Sequence, residues 1–112
     1  MYGVIYKRTF PSKKCYIGQT IRSPQTRWNE ENRDAFDKNN NNQPKLFNAI
    51  IKYGVENIEN EIIDTAHSKV ELNEKEEYWI DYFDSFENGY NMTRGGEGGL
   101  AGDENPQYRH DL

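Results

Sequence analysis

A chain of 112 residues holds one domain with a modest core, and with 34% hydrophobic and 13% aromatic residues that core must lean on Tyr, Phe and Trp. No apolar run approaches the ~20 residues of a membrane helix and no charged-then-apolar leader opens the chain, so the expectation is a cytoplasmic protein with no membrane partner. The net charge of −5 speaks against a polyanion partner as an average, but residues 1–54 carry ten Lys/Arg against four Asp/Glu, and residues 55–112 four against fifteen. That split fits a basic surface for phosphate with an acidic remainder that faces away or supplies carboxylates; accidental clustering on a polar surface is the other reading.

"YGVIYKRT" and "KKCYIGQT" are rich in β-branched and aromatic residues and are joined by "FPSKK", so they read as a hairpin of two antiparallel strands. Period-two alternation puts Tyr2, Val4 and Tyr6 on one face of the first strand, and Tyr16 and Gly18 on one face of the second. Tyr6 and Tyr16 are then either a cross-strand aromatic contact or chemistry. The lone Cys15 can form no internal disulfide and reads as a small strand residue in a reducing compartment. Ser23-Pro24 has the form of an N-cap followed by proline, predicting a helix to about Lys38 with Trp28, Ala35 and Phe36 on its apolar stripe. The asparagine run "KNNNNQP" ends it as a solvated loop.

A second helix follows Pro44, with Leu46, Phe47, Ile50 and Ile51 at helical spacing and Gly54 at its C-terminal end. "IENEIID" predicts a third strand, and Ser68 with Glu71 forms a capping-box pattern that opens a third helix to about Phe83. The order strand, strand, helix, helix, strand, helix predicts an α+β fold, a three-stranded antiparallel sheet flanked by helices. The third helix sets a puzzle. Its apolar stripe is Leu72, Trp79, Ile80 and Phe83, and Glu76 falls among them, where a carboxylate is costly without a cation or hydrogen-bond donors. An ion pair at the edge of the stripe answers the puzzle, and so does a divalent metal, since Mg²⁺ prefers oxygen ligands and often takes one or two carboxylates.

"GVIY", "CYIG", Arg27 in "TRW", "KLFNAIIKYG", Glu76 ahead of "EEYWI", and "NGYNMTRGG" occur together and in order over residues 1–96. In that combination the chain resembles the GIY-YIG nuclease domain, especially its phage and intron-homing members. The resemblance implies a metal-dependent DNA endonuclease with one divalent ion, Mg²⁺ (or Mn²⁺), acting as a monomer in isolation on DNA inside a bacterial or phage-infected cell. It also implies the site. Tyr6 is then the base, or part of the relay, for the attacking water, and Tyr16 holds the water or the phosphate. Arg27 neutralises charge on the phosphate, Glu76 binds the metal, and Asn91 braces the site by hydrogen bonds.

Homing members often carry a His one turn after the Arg; this chain has Glu31 there. Glu31 lies four positions from Arg27, so the two can pair, and Glu31 can replace the His as proton acceptor. A catalytically weak or inactive nucleic-acid or protein-binding module on the same fold is the alternative, and RNA or branched DNA is an alternative substrate. Residues 97–112 form a Gly-rich tail whose "GDENPQYRHDL" resembles the opening of a nuclease-associated DNA-binding motif.

Overall fold

The two tyrosine-rich segments pair as an antiparallel hairpin in the computed structural model, which describes residues 1–95. Strand β1 spans Gly3–Thr9 and β2 spans Cys15–Thr20, in a register that sets Tyr6 opposite Gly18 and Arg8 opposite Tyr16. Strand β3, Glu59–Ala66, joins the other side of β1, so the antiparallel sheet has the order β2-β1-β3. Ile5 pairs with Asp64 but Tyr6 pairs with Ile62, which leaves Ile63 as an extra residue in β3. The expected α+β architecture is the observed one.

Because β1 is central, its alternating side chains feed two cores. On one face Tyr6, Phe10 and Tyr16 pack with Ala35, Leu46, Phe47 and Ile50 from α1 (Pro24–Ala35) and α2 (Pro44–Tyr53). On the other, Ile5, Cys15 and Ile17 pack with Leu72 and Ile80 of α3 (Lys69–Phe83). The sheet is therefore the middle layer of three.

Three local details differ from the pattern read in the sequence. Helix α1 stops at Ala35, and Phe36 lies beyond it, exposed. The physical reason is local competition: the Asp37 side chain accepts the Asn39 N–H at 3.0 Å, diverting the backbone into turns before the asparagine run. After Gly54, whose φ of 85° ends α2, a single 3₁₀ turn covers Val55–Asn57 before β3. At the start of α3 the Ser68 Oγ accepts the Glu71 N–H at 3.1 Å, but Glu71 returns its carboxylate to the His67 N–H at 2.5 Å, one residue earlier than a capping box requires.

The outer edge of β2 is covered by the segment after α3. Tyr90 donates its N–H to the Cys15 carbonyl at 3.0 Å, and the Asn91 side chain takes both the N–H and the carbonyl of Ile17. Gly89 permits this approach, since a Cβ there would stand 2.6 Å from the Cys15 carbonyl oxygen. An edge that could recruit another strand is thereby closed. The boundary expected at residue 96 and the tail 97–112 lie outside the described residues.

Candidate active site

On the α1 side of the sheet, Tyr6 has no exposed surface, and its ring passes over Gly18 of the neighbouring strand. The Trp28 ring meets it edge-on at 5.9 Å and Tyr16 lies 6.3 Å away, centre to centre. The Tyr6 hydroxyl donates a hydrogen bond to Oε2 of Glu31, which projects from the middle of α1 and is itself buried. Oε1 of Glu31 accepts from Arg8 Nη1 at 2.8 Å, and Arg27 Nε stands 3.4 Å from Oε2. Four expected residues, Tyr6, Tyr16, Arg27 and Glu31, thus share one face. Arg27, 33% exposed, is the member that reaches the rim.

Burial dominates the electrostatics of this cluster. It pushes the Tyr6 hydroxyl well above its ordinary value, reinforced by Tyr16 and Glu31, and it pushes Tyr16 up too, with Glu31 and Glu76 adding to the effect. Burial also lifts Glu31, against the downward pull of the Tyr6 hydrogen bond and of the Arg8 and Arg27 charges. Both tyrosines therefore rest as neutral phenols at neutral pH.

Glu76 approaches from the other layer. It sits on α3 between Leu72 and Ile80 and is 8% exposed. Its Oε1 accepts from Gln19 Nε2 at 2.9 Å, and the same amide nitrogen reaches Asn73 Oδ1 at 2.8 Å. Gln19 points to the α3 side of β2 while Tyr16 points to the α1 side, so Glu76 and the tyrosines lie against opposite faces of the sheet. A cleft of about 260 Å³ is lined by Gln19, Arg22, Arg27 and Lys69 among others; Tyr6, Tyr16, Glu31 and Glu76 are not in its lining. Asn91 lies elsewhere along β2. Its Oδ1 accepts from the Ile17 N–H at 2.8 Å and the Ser85 hydroxyl at 2.7 Å, and its Nδ2 donates to the Ile17 carbonyl at 2.8 Å.

Two solved structures share this architecture. The catalytic domain of the intron endonuclease I-TevI, in a point-mutant form, matches with a TM-score of 0.72 and 26% identity, over 84% of this chain and 96% of that one. A second structure of the catalytic domain of the homing endonuclease I-TevI matches with a TM-score of 0.70 and 26% identity, over 81% and 98%. The chain has the GIY-YIG nuclease fold. No protein-family model and no curated protein matches the sequence.

Within this GIY-YIG fold, one buried participant escapes the motif reading. Arg8 follows Tyr6 by two positions in β1 and has no exposed surface. It reaches Glu31, Asn32 Oδ1 at 2.6 Å and Asn60 Oδ1 at 2.9 Å. The signal was present in the alternation that placed Tyr6 inward, because the same period sets Arg8 inward between Tyr6 and Phe10.

Proposed function

We propose that this chain is a metal-dependent DNA endonuclease that hydrolyses one phosphodiester bond per encounter, with DNA entering over the cleft of Arg22, Arg27 and Lys69. The observation that carries the proposal is the hydrogen bond from Tyr6 to Glu31 beside Arg27, in the fold of an endonuclease catalytic domain. Arg27 offers a planar fork of donors to a phosphate oxygen as negative charge grows on it. Tyr16 offers a neutral hydroxyl for the phosphate or the attacking water.

The pKa of a tyrosine decides how the proton moves. Even an unperturbed phenol is ionised only to about one part in a thousand at pH 7, a penalty of ~4 kcal/mol, and burial makes that worse for Tyr6. A standing Tyr6 phenolate is therefore too scarce to serve as the base. A relay avoids it. As the water oxygen bonds to phosphorus, its proton passes to the Tyr6 oxygen while the Tyr6 proton passes to Glu31. The bond from phosphorus to the leaving oxygen breaks, the electron pair departs with that oxygen, and solvent protonates it.

A Mg²⁺ or Mn²⁺ ion that keeps most of its waters can take a single carboxylate from the protein. Glu76 is that carboxylate. It is buried on α3 and accepts a hydrogen bond from Gln19, which lines the cleft. When bound, the ion supplies positive charge to the scissile phosphate and the leaving oxygen. Asn91 would contribute by fixing the β2 backbone next to Tyr16.

The test is nicking of supercoiled plasmid by the whole chain in Mg²⁺, with and without EDTA, beside Arg27→Ala. Nicking that needs the metal and vanishes in the variant is the expected result. Folded protein that cuts no DNA with Mg²⁺ or Mn²⁺ overturns the proposal and leaves a binding module.

A further inference from the structure

Arg8 has no role in the reaction just described, yet it is a cation with no exposed surface, and its three guanidinium nitrogens are all engaged. Nε donates to Asn60 Oδ1 of β3 at 2.9 Å, Nη1 to Glu31 Oε1 at 2.8 Å, and Nη2 to Asn32 Oδ1 at 2.6 Å. Partners on β3 and α1 thus fix the planar fork from two directions, which over-determines its position. By occupying Oε1, the fork leaves Oε2 of Glu31 for Tyr6 and Arg27.

We infer that Arg8 is a positioning residue for proton transfer: its guanidinium holds Glu31 as a carboxylate with one oxygen fixed on the Tyr6 hydroxyl, so that Arg27 is free to leave for the phosphate. The second half follows from the division of exposure. Arg27 is the only other cation beside Glu31 among the described residues, and it is the one at the rim. When it turns to a phosphate, a buried carboxylate with no other cation beside it would take up a proton and lose its capacity to accept one from Tyr6. Arg8 cannot turn away, being enclosed. The groups that face Glu31 are Arg8 and Tyr6 from β1, Tyr16 from β2 and Arg27 from its own helix; of these Arg8 alone is a permanently buried cation. The geometry stands by itself, while its consequence for turnover rests on the nuclease reading above.

The experiment compares the whole chain with Arg8→Gln, which keeps hydrogen-bonding capacity and removes the charge. The Glu31 carboxyl carbon is followed by NMR against pH, and the rate of plasmid nicking in Mg²⁺ is followed over the same range. We expect the Glu31 midpoint to rise by about one unit or more, the acid limb of the rate to move with it, and kcat to fall about tenfold at nearly unchanged KM. An unmoved midpoint in folded Arg8→Gln overturns the inference. The NMR arm reports even if the wild type cuts nothing, so failure of the nuclease reading and failure of this one are separable. If Arg8→Gln does not fold, Arg8→Gln/Glu31→Gln decides: a folded double variant supports the pairing, and an unfolded one makes Arg8 a scaffold residue acting through Asn32 and Asn60, which overturns it.

Discussion

The Tyr6 ring occupies the space that a side chain on Gly18 would need: a Cβ on Gly18 would stand 2.3 Å from Cζ of Tyr6 and 2.4 Å from its hydroxyl oxygen. The two residues are cross-strand partners, so the glycine in "CYIG" is the complement of the tyrosine in "GVIY". Gly18→Ala is therefore expected to push the ring off its line to Glu31. Overpacking of this kind costs typically 1–3 kcal/mol, and the unfolding free energy obtained from urea denaturation should fall by that amount. Its nicking rate should fall further than its stability predicts at a temperature where it is fully folded. A stability loss with normal turnover would mean that Tyr6 recovers its hydrogen bond after moving.

Glu31→His is a natural first thought for improving the site, because a neutral imidazole accepts a proton near pH 7. Arg8 reverses the expectation. With Glu31 gone, a guanidinium with no exposed surface loses its 2.8 Å carboxylate partner. Removing one partner of a buried ion pair costs about 3–5 kcal/mol, so Glu31→His should be strongly destabilised and Arg8→Met/Glu31→His should recover most of the loss. Urea denaturation of the three proteins checks this; additive losses in the double variant would show that Arg8 and Glu31 do not depend on each other.

The scaffold was legible because its signals are local. Alternation in residues 2–9, the Ser23-Pro24 start and the Ser68/Glu71 cap each determine their own element. Glu76 was legible as an anomaly, a carboxylate inside an apolar stripe. Arg8 was hidden because its partners, Glu31, Asn32 and Asn60, come from a helix and a strand far along the chain. The arrangement of Glu76 and the tyrosines on different sides of the sheet was also hidden, since it depends on which layer each helix joins and not on any segment's own pattern.

Asn91 and Glu76 are expected to separate on substitution. The Asn91 side chain replaces a strand partner for Ile17, with buried hydrogen bonds to its N–H and carbonyl. Asn91→Ala leaves those backbone groups unpaired at roughly 1–3 kcal/mol each, so it should lower stability by several kcal/mol. Glu76→Ala removes the partly buried hydrogen bond from Gln19 and should cost about 1 kcal/mol in stability, less than Asn91→Ala. Its effect should fall on metal-dependent nicking, with a loss on the order of a hundredfold or more. Thermal melts and nicking rates measured on the same samples distinguish the two. A destabilised Glu76→Ala with proportionate loss of turnover would make Glu76 a structural residue.

High pH tests the buried phenols directly. Tyr6 and Tyr16 both have hydroxyl pKa values raised in the folded protein, by burial first, whereas in the unfolded chain each ionises near ~10. A group whose pKa is raised on folding lends stability that is complete below its unfolded pKa and is lost as pH rises toward the folded one. The protein should therefore keep its stability up to about pH 9 and lose it steeply above ~10, by about 1.4 kcal/mol per pH unit for each phenol that ionises only on unfolding. Tyr16→Phe removes one such phenol, so its stability curve should fall less steeply than the wild type's by that slope between pH 10 and 12. Urea unfolding at half-unit intervals of pH measures the difference. Parallel curves would mean that Tyr16 ionises inside the folded protein near its ordinary value, and a Tyr16 that can lose its proton there would be a candidate base in place of the relay through Glu31.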